Sequence, residues 1–181
     1  AAVTRADGVA APPGPIDRRF IGRTDERTLT VTFDRPLDDE AGDAILVLDG
    51  WIEYPYAQTV FAAWQAGAAY RAPSLDARDA KGGWHALLPE FGYPAGMPRQ
   101  MTVPLARLPR GTTALRLRTT QEVYWDRIAV AYAEPPPSAI VRRLTLTRAR
   151  LAITGYARRS TGPFRRPSYD YDARVPLWDA R

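Results

Sequence analysis

Between Thr28 and Tyr132 the chain is cut into strand-length pieces, and the cuts leave almost no room for helix. Thr28–Phe33, TLTVTF, alternates strictly, with Leu29, Val31 and Phe33 on one side and threonines on the other. That period of two is the mark of a half-buried strand. Ala44–Trp51, AILVLDGW, is an unbroken apolar run and reads as a central strand buried on both faces. Ser74–Asp79 and Trp84–Leu88 flank the turn AKGG and read as a hairpin. Gln100–Leu105 is another strand, and its Pro104 suits an edge or a strand end. Ala114–Thr120 points Leu115 and Leu117 inward and Arg116 and Arg118 outward, and Tyr124–Tyr132 follows. The one helical candidate is TVFAAWQAG. Thr59 is placed to cap it, Gly67 to end it, and Val60, Phe61 and Trp64 share a face expected to pack on the core. Many short strands with tight turns predict an all-β, antiparallel β-sandwich of jelly-roll type.

The flanks differ from this middle. Residues 1–16 are small, rich in Pro and Gly, and without period, so they read as a flexible arm. The sandwich is expected over 17–132. AEPPPSA, residues 133–139, reads as a stiff proline-rich connector. In 140–181, two further strands are expected at Val141–Thr147 and Leu151–Thr154, with a turn or bulge where the apolar phase slips. The tail from Arg158 is rich in Arg and aromatics and shows no clear period. A segment of this length is too short for an ordinary core of its own. It is expected to pack on the sandwich or to open a domain that continues past LWDAR. The opening Ala in place of Met reads as a processed or engineered end.

Composition narrows the chemistry. With no cysteine in the chain there are no disulfides, thiolate metal sites or cysteine nucleophiles. The single histidine, His85, is too little for a multi-histidine transition-metal site. No nucleophile elbow, phosphate loop or dinucleotide fingerprint occurs. Residues 142–181 hold ten Arg against three Asp, a balance of +7 that leaves −2 for the rest of a chain whose net charge is +5. Lys81 is the only lysine. So strong an Arg bias, with abundant Pro and Ala, fits a GC-rich genome, and nucleic-acid binding by the tail is not expected, because Asp170, Asp172 and Asp179 interrupt the arginines. No apolar run reaches the roughly 20 residues that span a bilayer.

Two segments carry candidate sites. DGWIEYPY supplies Trp51, Tyr54 and Tyr56 as rings and, with the residues that follow, Glu53 and Gln58 as hydrogen-bonding groups, the elements of a sugar-stacking loop. The other reading, which we take first, is that these rings close the open end of the sandwich, each burying about 150–250 Å². Phe61 and Trp64 are expected in the core as well. Asp38, Asp39, Glu40 and Asp43 crowd one loop and offer hard oxygen ligands for a structural calcium, although their spacing departs from the EF-hand pattern. No other cofactor is expected. Trp125 and Asp126 alternate in the last strand. One is expected inside and the other outside, with Asp126 a structural carboxylate that pairs with the neighbours of Arg127 or accepts backbone N–H groups.

DGWIEYPYAQTVFAAWQAG, PSLDARDAKGGWHALLPEFGYPAGMPR and LRLRTTQEVYWDRIAV together resemble the C-terminal β-sandwich module of large bacterial proteins that carry FG-GAP repeats, an ASPIC/UnbV segment or tetratricopeptide repeats. The resemblance covers roughly residues 28–132. It implies a non-catalytic accessory module that contacts neighbouring domains of its parent chain or another protein, and it supplies no catalytic residues. YWDRIAV also resembles galactose-binding-like jelly rolls, which would imply a carbohydrate-binding module. A carboxylate-based hydrolase is a third expectation, since paired acids need not be close in sequence. A periplasmic or extracellular setting is favoured.

Overall fold

The computed structural model describes residues 3–39, 42–134, 138 and 140–176. Seven strands lie between Arg23 and Tyr132: β1 (Arg23–Thr32), β2 (Ala44–Ile52), β3 (Ser74–Arg78), β4 (Trp84–Leu88), β5 (Arg99–Pro104), β6 (Ala114–Gln121) and β7 (Val123–Tyr132). Helix α1 (Ala57–Gln65) joins β2 to β3. One antiparallel sheet has the order β1-β6-β3-β4 and the other β5-β2-β7, so the fold is all-β and sandwich-like, as the alternation predicts. In the first sheet, Leu29, Leu117 and Leu75 form one row across β1, β6 and β3, and Val31, Leu115 and Ala77 form the next. Leu46 and Leu48 of β2, Val103 of β5 and Ile128 of β7 join Leu75, Leu115 and Leu117 in a single buried cluster. Each fully buried side chain of this kind contributes about 1.5–3 kcal/mol relative to exposure. β2 is central in its sheet but is not equally buried on both faces. Leu46 and Leu48 are sealed, whereas Ile45 and Val47 on its other face are only half-buried.

β6 and β7 belong to different sheets and are separated by Glu122 alone. The chain crosses the sandwich there. Thr119, Thr120, Gln121 and Glu122 are therefore polar and buried together. The crossing is held by side chains: Arg71 N–H donates to the Thr120 hydroxyl at 2.7 Å, and the Thr119 hydroxyl donates to the Arg71 carbonyl at 2.8 Å.

The opening segment is not a loose arm. It runs along the free edge of β7, with bridges Thr4–Arg127 and Ala11–Trp125. Ile128 N–H donates to the Val3 carbonyl at 2.9 Å, and Ala11 N–H donates to the Trp125 carbonyl at 2.8 Å. A β-bulge explains how. Asp49 and Gly50 of β2 face Arg127 and Trp125, so Asp126 is an extra residue on β7. Both Trp125 and Asp126 are buried as a result, where simple alternation places one outside. The Asp126 carboxylate accepts the N–H groups of Asp7 and Gly8 at 3.1–3.2 Å, satisfying the arm where it leaves the ladder. Gly8 has φ +84, a conformation L side chains rarely adopt, and a Cβ there would also displace the Arg166 guanidinium, 2.7 Å away.

The C-terminal part departs from expectation too. The strands expected at Val141–Thr147 and Leu151–Thr154 are absent. Residues 140–154 have no regular structure, and Leu144, Leu146, Leu151 and Ile153 stand exposed. Their alternation suits a strand, but a strand also needs a neighbour for its N–H and C=O groups, and no sheet edge meets this segment. The hairpin forms later, from β8 (Tyr156–Thr161) and β9 (Pro167–Val175). Its turn docks on the sandwich. Trp51 Nε1–H donates to the Phe164 carbonyl at 2.8 Å, and Arg165 donates to the fully buried Glu122 carboxylate at 3.0 Å. Of the proline-rich connector, Pro135–Pro137 and Ala139 lie outside the described residues, as does the terminal LWDAR.

The two strand tryptophans are not equivalent. Trp125 is buried, but Trp84 is half-buried beneath the Arg116 guanidinium, 4.3 Å from its ring centre. Trp125→Ala is expected to cost about 3–5 kcal/mol and Trp84→Ala markedly less, read from denaturation midpoints. Equal losses would place Trp84 in the core. Asp126→Ala is expected to cost about 1–3 kcal/mol and to raise amide exchange chiefly in residues 3–11. Exchange that rises uniformly along the chain would show that Asp126 does not act by holding the arm.

Candidate functional site: an aromatic face beside a polar cleft

β2 ends at Ile52, and Glu53, Tyr54, Pro55 and Tyr56 carry the chain into α1. The helix starts two residues before Thr59. Tyr56 is its N-cap, without a side-chain hydrogen bond. Alanines at 57, 62 and 63 favour the helix. It stops at Gly67, at φ +69, whose N–H donates to the Trp64 carbonyl at 3.0 Å.

The orientation of α1 is opposite to the one expected. Ala63 is its buried residue, while Phe61 and Trp64 are exposed, Trp64 at 71%. Positions 61 and 63 lie about 200° apart around a helix, so seating one turns the other outward. The small Ala63 lets the helix approach closely, and the rings are left on the outside. Phe61 and Trp64 touch each other, with centroids 5.7 Å apart.

The proposed sugar-stacking loop is likewise divided. Trp51 cannot be a platform. It is 1% exposed, stacked on Tyr124 at 5.7 Å and 11°, and hydrogen-bonded to the docked hairpin turn. Glu53 is half-buried, 3.6 Å from Arg165. Tyr54, Tyr56 and Gln58 are exposed, so the tyrosines do not close the core. A depression of about 750 Å³ runs from Tyr54 and Tyr56 past Phe61 and Trp64 to Tyr70, Tyr93 and Gln121.

Tyr70, Tyr93 and Gln121 are shared with a second cleft, of about 670 Å³, on the four-stranded sheet. Its charged lining comprises Glu26, Asp76 and Glu90 with Arg71 and Arg118. Asp76 is buried under Arg116 at 2.8 Å and Arg118 at 3.2 Å, and Arg71 pairs with Glu26 at 3.0 Å. The Tyr93 phenol is pushed up, first by burial and then by neighbouring Tyr54, with the Gln121 amide acting in the other direction. None of Tyr70, Tyr93, Arg118 and Gln121 was marked as a site residue by the sequence. The available signal was the polar run TTQE, which breaks the Leu/Arg alternation of β6.

Of the acidic-loop candidates, Asp38 has a structural role. The Asp38 carboxylate accepts the N–H groups of Gly111 at 2.9 Å and Thr112 at 3.1 Å. Asp39 and Asp43 are exposed, and Glu40 lies outside the described residues. Among the described residues no group of three or more His, Cys, Asp or Glu gathers as a metal set. The Glu122 carboxylate accepts from the Tyr124 hydroxyl at 2.6 Å. Burial, and then that bond, push the Tyr124 phenol well up. Burial opposes the Arg165 charge, but the bond and charge of Glu122 outweigh it and raise Arg165.

His85 is exposed and bonds Asp79 at 2.6 Å across the β3–β4 hairpin. This bond, followed by the Gly83 N–H, holds the Asp79 carboxyl below its usual range. The ionised form therefore favours the fold above an unfolded-state value of about 3.9, and that contribution is lost as pH falls through the folded-state value. His85→Ala is expected to move the Asp79 titration upward in carboxyl-detected NMR. An unmoved titration would assign the effect to the turn amides instead.

Comparison with known proteins finds no family, no curated protein and no solved structure that matches this chain.

Proposed function

We propose that this chain is a non-catalytic accessory β-sandwich module of a larger bacterial protein, acting through interdomain or partner contacts made by the aromatic face of α1. The exposure of Phe61 and Trp64 carries this reading. Both rings stand outside the module's own core, and together with Tyr54, Tyr56 and Val60 they line one continuous depression. Contiguous apolar surface of this kind marks an interaction site more often than idle surface. The non-catalytic part is supported by how the buried acids are used: Asp76, Glu122 and Asp126 are each held by guanidinium, phenol or backbone N–H groups.

The second reading is a carbohydrate-binding module of galactose-binding-like type. It is favoured by the exposed rings of Tyr54 and Tyr56, which line a depression that shares Tyr70, Tyr93 and Gln121 with the polar cleft.

A photo-crosslinking residue placed at position 64 in the parent protein is expected to join this module to another domain or another protein. The pair Phe61→Ser and Trp64→Ser is expected to leave the isolated module's melting temperature nearly unchanged, whereas Trp51→Ala costs about 3–5 kcal/mol. A large loss of stability from the serine pair, or no crosslink beyond the module, would contradict the reading.

A further inference from the structure

We propose that the polar cleft on the four-stranded sheet binds an uncharged polyhydroxylated ligand, a neutral sugar or short oligosaccharide, with Gln121 as its hydrogen-bonding floor and Tyr70 and Tyr93 as its walls. The proposal rests on the carbohydrate reading and moves it away from Trp51 and the opening loop, to residues supplied by β6 and by the segments on either side of the β3–β4 hairpin.

Gln121 is the starting point. It is 6% exposed, and its Oε1 has no hydrogen-bond partner. Arg118 Nε, in the same cleft, is also buried without a partner. An unmet buried donor or acceptor costs about 1–3 kcal/mol, so native proteins keep few of them. Here an unmet acceptor and an unmet donor belong to residues of one concave wall. A hydroxyl group both donates and accepts, and a small side-chain rotation on ligand entry would let adjacent hydroxyls satisfy both.

The charges narrow the class. Three carboxylates and two guanidiniums line the cleft, with Asp76 and Glu26 already paired to arginines. The unpaired excess is one exposed carboxylate, Glu90, which disfavours phosphates, sulfates and uronates and is too little to select a polycation. Carboxylates in such a rim accept sugar hydroxyls without requiring ligand charge. Tyr70 and Tyr93 add apolar ring surface with polar tips, suited to the C–H faces of a pyranose. A volume of about 670 Å³ is within the range of small-molecule sites. The cleft opens through the same two tyrosines and Gln121 onto the depression at Tyr54 and Tyr56, which gives a longer chain a path across the surface.

The test is titration of the intact chain with neutral hexose and pentose disaccharides and their oligomers, up to tens of millimolar, followed by NMR of the Gln121 side-chain amide and by calorimetry. At least one neutral sugar is expected to shift the Gln121 amide saturably. Gln121→Leu is expected to weaken that sugar at least about tenfold without lowering the melting temperature, since it removes an unmet polar group. Tyr93→Phe, which removes a hydroxyl from the cleft wall, is expected to weaken binding independently and covers the case of a misfolded Gln121 variant. Sugar binding that ignores both substitutions but is lost in Trp64→Ser would overturn this site and leave the carbohydrate reading standing. Binding only of sulfated or uronic sugars would overturn the neutral class. No binding of any sugar would overturn the site and the carbohydrate reading together, leaving the accessory-module reading in place.

Discussion

The Asp126 carboxylate joins parts of the chain that sequence order keeps far apart. β7 pairs with β2 along one edge only, and an open edge of this length is a hazard for any sheet protein. The opening segment covers it, but an irregular segment leaves N–H groups unpaired wherever it departs from the ladder. The bulge turns Asp126 toward that gap, and its carboxylate accepts the Asp7 and Gly8 groups. The close approach at Gly8 then lets the arm pass beneath Arg166 of the docked hairpin turn. Removing this one side chain would leave the Asp7 and Gly8 N–H groups unmet between the two backbone bridges that hold the arm to the edge.

A second constraint lies where the chain changes sheets. A strand that crosses from one layer to the other cannot continue either ladder at the crossing, so side chains must satisfy the backbone. Thr119 and Thr120 do this through the 69–71 segment, and Glu122 is satisfied by Tyr124 and Arg165. Gln121 sits in the middle of this run and is the member left with an unmet atom. The crossing thus explains why polar groups are buried at this point and why one of them keeps an unmet atom beside a cleft.

The aromatic segment shows how far pattern reading carries. Trp51 lies near the end of the apolar strand β2, and its burial was anticipated on the reading that placed the cluster inside. Phe61 and Trp64 were expected inside on the same logic and stand outside. The helical pattern identifies a face but does not say which way it turns, because Phe61 lies nearly opposite Ala63, with Trp64 to one side, and either residue of the opposed pair can pack. Close packing of a small residue won here. In the C-terminal region, Leu144, Leu146, Leu151 and Ile153 have the alternation of strands and form none, since alternation supplies a face and not a neighbour.

Unlike β8 and β9, the succession of strands from β1 to β7, with bounds that differ mainly at the start of β1, the turns at AKGG and Gly67, and the inward leucines of β6 were determined by the sequence by itself. These depend on local conformational preference and on a period of two, and both are properties of short segments. The tertiary structure alone decided which sheet each strand joins, that the opening segment serves as an edge strand, that Asp126 is buried beside Trp125, and that Gln121 lines a cleft shared with Tyr70 and Tyr93. Each of these depends on contacts between residues dozens of positions apart, whose energies appear only once the two sheets have closed on each other.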